Sequence, residues 1–118
     1  MLIERLRTAD ATPMAVERSH IPASLVPGLL ERSLAGTSLY ALLGEVYGLA
    51  LDAGEQVIEA GIVDGSDARL LDIAPGSAVL LLQRTSFAGP TTVEYAVSTY
   101  RADRYQLRAS LQAPRGPG

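Results

Sequence analysis

The sequence predicts an α+β domain: an antiparallel sheet with flanking helices, built from two pseudo-repeated hairpin halves. Three observations predict it. First, a segment recurs. Shifted by 77 positions, Arg7-Thr8 falls on Arg84-Thr85, Ala11 on Ala88, Pro13 on Pro90 and Val16-Glu17 on Val93-Glu94, six identities in eleven ungapped positions. Each copy runs from an apolar strand through Arg and a connection of about five residues containing Pro to a second strand bearing Glu, the layout of a β-hairpin. Second, Leu39, Leu42, Leu43 and Val46 recur at i, i+3, i+4 and i+7, which marks one amphipathic helix. Third, the other apolar runs are short and end at Gly and Pro turns, as strands joined by hairpins do.

The elements follow in order. Leu2–Thr8 and Met14–Ile21 form the first hairpin. Pro22–Gly36, broken by Pro27-Gly28, reads as an irregular or short helical connection. Thr37 or Ser38 then caps a helix that ends near Gly48, because a side-chain oxygen there can accept from the first free N–H groups. Gln56–Val63 is a strand that can extend back toward Leu49, and Asp67–Leu71 is a short helix capped by Ser66. Ala78–Phe87 and Thr91–Tyr100 form the second hairpin, and Tyr105–Leu111 a last strand. The domain is thus expected over 1–111, with 112–118 a disordered tail rich in Pro and Gly. The second copy is preceded by a strand and a short helix that the first lacks, so the chain reads as truncated at its front.

Composition narrows the function. The chain has 118 residues, enough for one domain, and 47% of them are apolar. It contains no cysteine and one histidine, which excludes disulfides, thiolate or His-rich metal sites and a Cys nucleophile. No apolar run approaches the roughly 20 residues that span a bilayer, and no signal-peptide pattern opens the chain. A cytoplasmic domain without cofactor or metal is expected. Its ten basic residues, all arginine, are scattered, and the net charge is −3. Direct nucleic-acid binding needs a concentrated cationic face, so none is expected from this chain.

Six residues are candidates for binding. Arg5 and Arg7 project from one face of a strand, about 6–7 Å apart. Two such guanidiniums repel unless they are solvated, paired with carboxylates or bridged by an anion. Glu17 and Glu94 occupy the same place in the two copies, where they can face a shared space. They can accept hydrogen bonds from hydroxyls or an amine, perform acid/base chemistry, or pair with a nearby Arg. Tyr100, six residues beyond Glu94, shares its face. Ser38 stands at a helix start, where capping and anion binding are both served by free N–H groups. Tyr40 and Tyr47 are expected to pack, His20 to be structural, and Asp103-Arg104 to pair locally. No nucleophile elbow, Walker motif or dinucleotide fingerprint is present.

Taken in order, these residues resemble a motif series. It runs through Arg5-Leu-Arg7-Thr-Ala-Asp10, Pro13 to Glu17-Arg-Ser19, Ile21-Pro22 and Ser38-Leu-Tyr40. It continues with Ala68-Arg-Leu-Leu71, Ile73, Gly76, Arg84, Pro90, Glu94-Tyr95 and Tyr100-Arg-Ala-Asp103-Arg104-Tyr105. The series is similar to that of UTRA domains, the effector-sensing domains of HutC-type GntR transcription regulators. The resemblance implies a chorismate lyase-like fold, a homodimer, and a small-molecule effector such as a phosphorylated sugar or organic acid. It places Arg5, Arg7 and Ser38 on the anionic end of that effector, and Glu17, Glu94 and Tyr100 along the rest of the pocket. DNA would be engaged only through a winged helix-turn-helix domain absent from this chain. A lyase acting on a cyclic carboxylic acid is the alternative on the same fold. In it Arg5 and Arg7 would bind the carboxylate and Glu94 would act as general acid or base.

Overall fold

The computed structural model describes residues 1–32 and 38–113. Five strands form one antiparallel sheet: β1 (Leu2–Ala9), β2 (Thr12–His20), β3 (Ala53–Ile62), β4 (Ala78–Ala88) and β5 (Thr91–Arg101). Their order across the sheet is β1-β2-β5-β4-β3. The two expected hairpins are present and meet along β2 and β5, while β1 and β3 are the edges. The helices are α1 (Leu39–Tyr47) and α2 (Gly65–Leu71), and two 3₁₀ turns, Ala23–Leu25 and Leu29–Glu31, lie between β2 and α1.

Both hairpin turns are tighter than the sequence suggests, with two residues each instead of about five. Asp10 and Ala11 both have positive φ, 51° and 62°, the conformation of a type I′ turn. An alanine there costs about 1–2 kcal/mol relative to glycine. The second turn is Gly89-Pro90, with Gly89 at φ 56°. Each hairpin also carries one break in register, between Arg7 and Thr8 in the first and between Ser86 and Phe87 in the second. Turns and breaks both superpose with a shift of 79, not the 77 of the sequence identities. Glu17 and Glu94 are therefore not structural equivalents: Glu17 maps onto Ala96, and Arg5 onto Arg84. Because the slip is two residues and side chains alternate with period two, both glutamates still share one face.

The sheet buries apolar side chains on each face. On one side α1 and the 3₁₀ turns enclose Ile3, Ile21, Val26, Leu29, Leu39, Leu43 and Val93. Of the helical stripe, Leu39 and Leu43 are buried, whereas Val46 is exposed. Ser38 caps α1, its Oγ accepting from the Ala41 N–H at 3.4 Å, and Gly48 ends the helix at φ 68°. Thr37, the other candidate cap, and positions 33–36 of the expected connection lie outside the described residues.

The opposite face holds Val16, Val63, Ala68, Leu71 and Val79 beneath α2. This helix is tied down by charge as well. Arg18 Nη1 and Nη2 donate to Asp67 at 3.1 and 2.7 Å, and Arg18 Nε donates to Glu4 at 2.9 Å. The cap of α2 is Asp64, whose Oδ1 accepts from the Asp67 N–H at 2.8 Å. Ser66, the expected cap, instead lies inside the helix and donates its hydroxyl to Asp64.

Three further expectations are corrected. Residues 49–52 are not strand, and the third strand opens at Ala53. Asp103 pairs with Arg101 (2.9 Å) instead of Arg104. Tyr105–Leu111 forms no strand: β5 is flanked by β2 and β4, so the chain leaving it finds no free sheet edge beside it. Tyr105 stacks on Tyr100 with centroids 4.3 Å apart, while Leu107 and Leu111 are exposed. Positions 112 and 113 have no regular structure, and 114–118 lie outside the described residues.

Candidate functional site

The α1 face of the sheet holds a cavity of about 460 Å³. Its floor is the centre of the sheet, where Glu17 faces Ser98 and Ser19 faces Ala96 across β2–β5. Arg5 and Arg7 border it on the β1 side, Leu82 and Arg84 on the β4 side, and Gln56 beyond them on β3. The start of α1, with Ser38, Leu39 and Tyr40, borders it on another side. Five of the six sequence candidates thus line one space.

The two carboxylates are held in parallel ways. Glu17 Oε1 accepts from Arg7 Nη1 at 3.2 Å and from the Tyr100 hydroxyl at 3.1 Å. Glu94 Oε1 accepts from the Tyr40 hydroxyl at 2.7 Å, and that hydroxyl oxygen accepts in turn from Arg84 Nη1 at 2.9 Å. Glu94 is 2% exposed, so its charge needs this bond; an unpaired buried carboxylate costs several kcal/mol. In each glutamate Oε2 has no hydrogen-bond donor among the described residues.

Tyr100, the sixth candidate, does not line the cavity. It positions Glu17 from outside. Tyr40, expected only to pack, is part of the wall and anchors the helix start to the sheet. Tyr47 does pack, against the α1 core, with its hydroxyl donated to the Pro27 carbonyl. Arg84 and Gln56 were not among the candidates. Arg84 was marked in the sequence as the repeat partner of Arg7 and as a member of the motif series, without a role in binding. The signal missing there was the 79-residue register, which makes it the counterpart of Arg5.

Electrostatics favour an anion. Three arginines and two glutamates line the cavity, leaving one net positive charge in a chain whose net charge is −3. Arg7 is largely spent on Glu17, whose hydrogen bond and charge raise the pKa of the guanidinium. Arg5 forms no ion pair with the described residues and is free to act. The free N–H groups at the start of α1 add a favourable partial charge. Among the described residues no group of His, Cys, Asp or Glu is placed to hold a metal ion, and no helix is long and apolar enough to cross a membrane.

Comparison with known proteins gives consistent matches. The family model described as "UTRA domain" matches residues 1–106. The chain is 36% identical over 104 residues to the HTH-type transcriptional repressor NagR of Bacillus subtilis (strain 168), covering 87% of this chain and 42% of that protein. It is 29% identical over 98 residues to the histidine utilization repressor of Pseudomonas putida, covering 83% and 39% respectively. The chain therefore spans about two fifths of the length of these relatives. The crystal structure of the effector domain of PhnF from Mycobacterium smegmatis superposes with a TM-score of 0.90 at 30% identity, over 95% of this chain and 69% of that one.

The Tyr40 hydroxyl has a measurable signature. Burial, followed by its bond to Glu94, raises its pKa above the ordinary 10.0. The folded state thus keeps this proton where the unfolded chain loses it. The resulting stability is complete below pH 10 and is lost as pH rises through the folded value. Tyr100 is raised likewise, by burial and then by Glu17. Urea unfolding between about pH 9 and about pH 11 should show a shallower alkaline loss of stability in Tyr40→Phe than in the native chain. Equal slopes would contradict the hydroxyl's placement.

Proposed function

The chain belongs to the UTRA domain family, and from that premise we propose that it senses a small anionic effector for a GntR/HutC-type transcriptional regulator. It performs no catalysis in this reading and needs no cofactor. One observation carries it: a cavity with net positive charge, bordered by the start of α1 and by an Arg5 that has no carboxylate partner among the described residues. The acidic group of the effector, a phosphorylated sugar or organic acid, binds Arg5, Arg7 and Ser38. Its hydroxyls or amine meet the open Oε2 atoms of Glu17 and Glu94. The regulatory names of the relatives support this reading over a lyase.

The output follows from linkage. A ligand that contacts both the sheet and α1 favours the arrangement in which the two are closest. In the whole regulator that bias reaches operator DNA through a separate winged helix-turn-helix domain, and the protein works in the cytoplasm. A homodimer fits the exposed edges: β1 offers unpaired backbone groups and carries exposed Leu2 and Leu6, features that recruit a second chain.

Isothermal titration with a panel of hexose phosphates and inorganic phosphate tests the site. Arg5→Ala is expected to weaken the best-binding anion by about 1.5–3 kcal/mol, the worth of a charge-assisted hydrogen bond, with an unchanged circular dichroism spectrum. Unaltered affinity removes Arg5 from the site. Light scattering at micromolar concentration should report a dimer; a monomer contradicts the proposed assembly.

A further inference from the structure

We propose that Arg84 is a second anion-binding locus in this cavity, opposite Arg5, and that it selects ligands carrying an acidic group at each end. The inference rests on the cavity being the effector site. Its first support is position. The 79-residue shift that superposes turns and register breaks takes Arg5 onto Arg84 and Ser19 onto Ser98. Arg5 lies on β1 and Arg84 on β4, with β2 and β5 between them. Three strand spacings, with Arg84 two residues along β4 from Leu82, the residue level with Arg5, put their backbones about 16 Å apart, and both side chains border the same space. The two buried serines lie on the floor between them.

The second support is how Arg84 is held. Arg7, Arg18 and Arg101 each have a carboxylate within 4.0 Å, whereas Arg84, like Arg5, has none among the described residues. Its partners are neutral. Gln56 Oε1 accepts from Nε at 3.1 Å and from Nη2 at 2.9 Å, and the Tyr40 hydroxyl oxygen accepts from Nη1 at 2.9 Å. Neutral acceptors fix the guanidinium plane, and the charge of Glu94 acts on it only through space, across the Tyr40 hydroxyl. Three of its five N–H groups are used, and two remain for a ligand. Glu94, the nearby acid, is occupied on Oε1 by the Tyr40 hydroxyl. A donor-only fork with two free N–H groups matches a group with two acceptor oxygens, a carboxylate or phosphate. A hydroxyl is better served by Glu94.

Two measurements test this. In the first, inorganic phosphate is titrated into the ¹⁵N-labelled chain while arginine Nε–H resonances are followed. Arg5 and Arg84 should saturate at phosphate concentrations at least about tenfold below those that move the exposed Arg104 and Arg108. A response at Arg5 alone overturns the second locus and leaves the effector reading standing. No response at either below the concentration that moves Arg104 overturns both. In the second, linear diacids from succinate to suberate are compared with monoacids of equal carbon number. At least one diacid should bind about tenfold or more tighter than its monoacid, and Arg84→Gln should abolish that preference. Two responsive arginines with no diacid preferred would overturn the ligand class. So would a preference that survives Arg84→Gln. Circular dichroism checks the fold of the variant, and the phosphate titration uses the unaltered chain and is decisive even if the variant does not fold.

Discussion

The pairing of β2 with β5 is the constraint on which the rest of the structure depends. Each hairpin alone is a two-stranded ribbon, which is marginal in water. Joined along their second strands, the hairpins make a sheet with a buried face on each side. The same register, with Glu17 against Ser98 and Ser19 against Ala96, sets which polar side chains share the α1 face. A slip of one residue along β2–β5 would move Glu17 and Ser19 to the α2 face and bring Arg18 into the cavity. The Arg18–Asp67 fork that holds α2 would then be lost as well. Site and core are thus fixed by one ladder of hydrogen bonds.

Around that ladder the cavity combines charges of opposite sign without letting them all neutralise one another. Arg7 and Tyr100 hold Glu17, and Tyr40 stands between Glu94 and Arg84. Each tie uses one carboxylate oxygen and leaves the other open. Arg5 keeps its whole charge. In the proposed reading such a site suits a polar, anionic guest, because its dipoles are already oriented before the guest arrives. Tyr40 ties the start of α1 to the sheet through Glu94 and Arg84, so in the proposed reading a guest beside it would bear on α1. A ligand shifts an equilibrium between two arrangements only by its difference in affinity for them, so the proposed sensing depends on contacts that reach α1 as well as the sheet.

Much of this was legible in the sequence. The apolar alternation of both hairpins and the spacing of Leu39 and Leu43 located the sheet and α1, strand periodicity put Arg5 and Arg7 on one face, and the repeat set Glu17 and Glu94 toward a shared space. What failed depended on tertiary context. Tyr105–Leu111 has a strand-like alternation, but a strand also needs a free neighbour and β5 offers none. Asp64 outcompetes Ser66 as a cap because its carboxylate reaches the Asp67 N–H from just outside the helix. Tyr40 looked like a packing residue because its partners, Glu94 and Arg84, lie 54 and 44 positions away. The 77-residue repeat in identities differs from the 79-residue repeat in geometry. Turn position and register breaks are set by pairing, which identities do not report. The face of Glu94 survived that error only because the slip was even.

The central claim is that the face created by β2–β5 pairing concentrates anions between Arg5 and the start of α1. The most direct measurement is a crystal of this chain soaked in selenate, whose anomalous signal locates a tetrahedral dianion. The account places a selenium peak inside the cavity, within hydrogen-bonding reach of the Arg5 guanidinium. Peaks confined to exterior arginines such as Arg104 and Arg108, with the cavity blank, would contradict it.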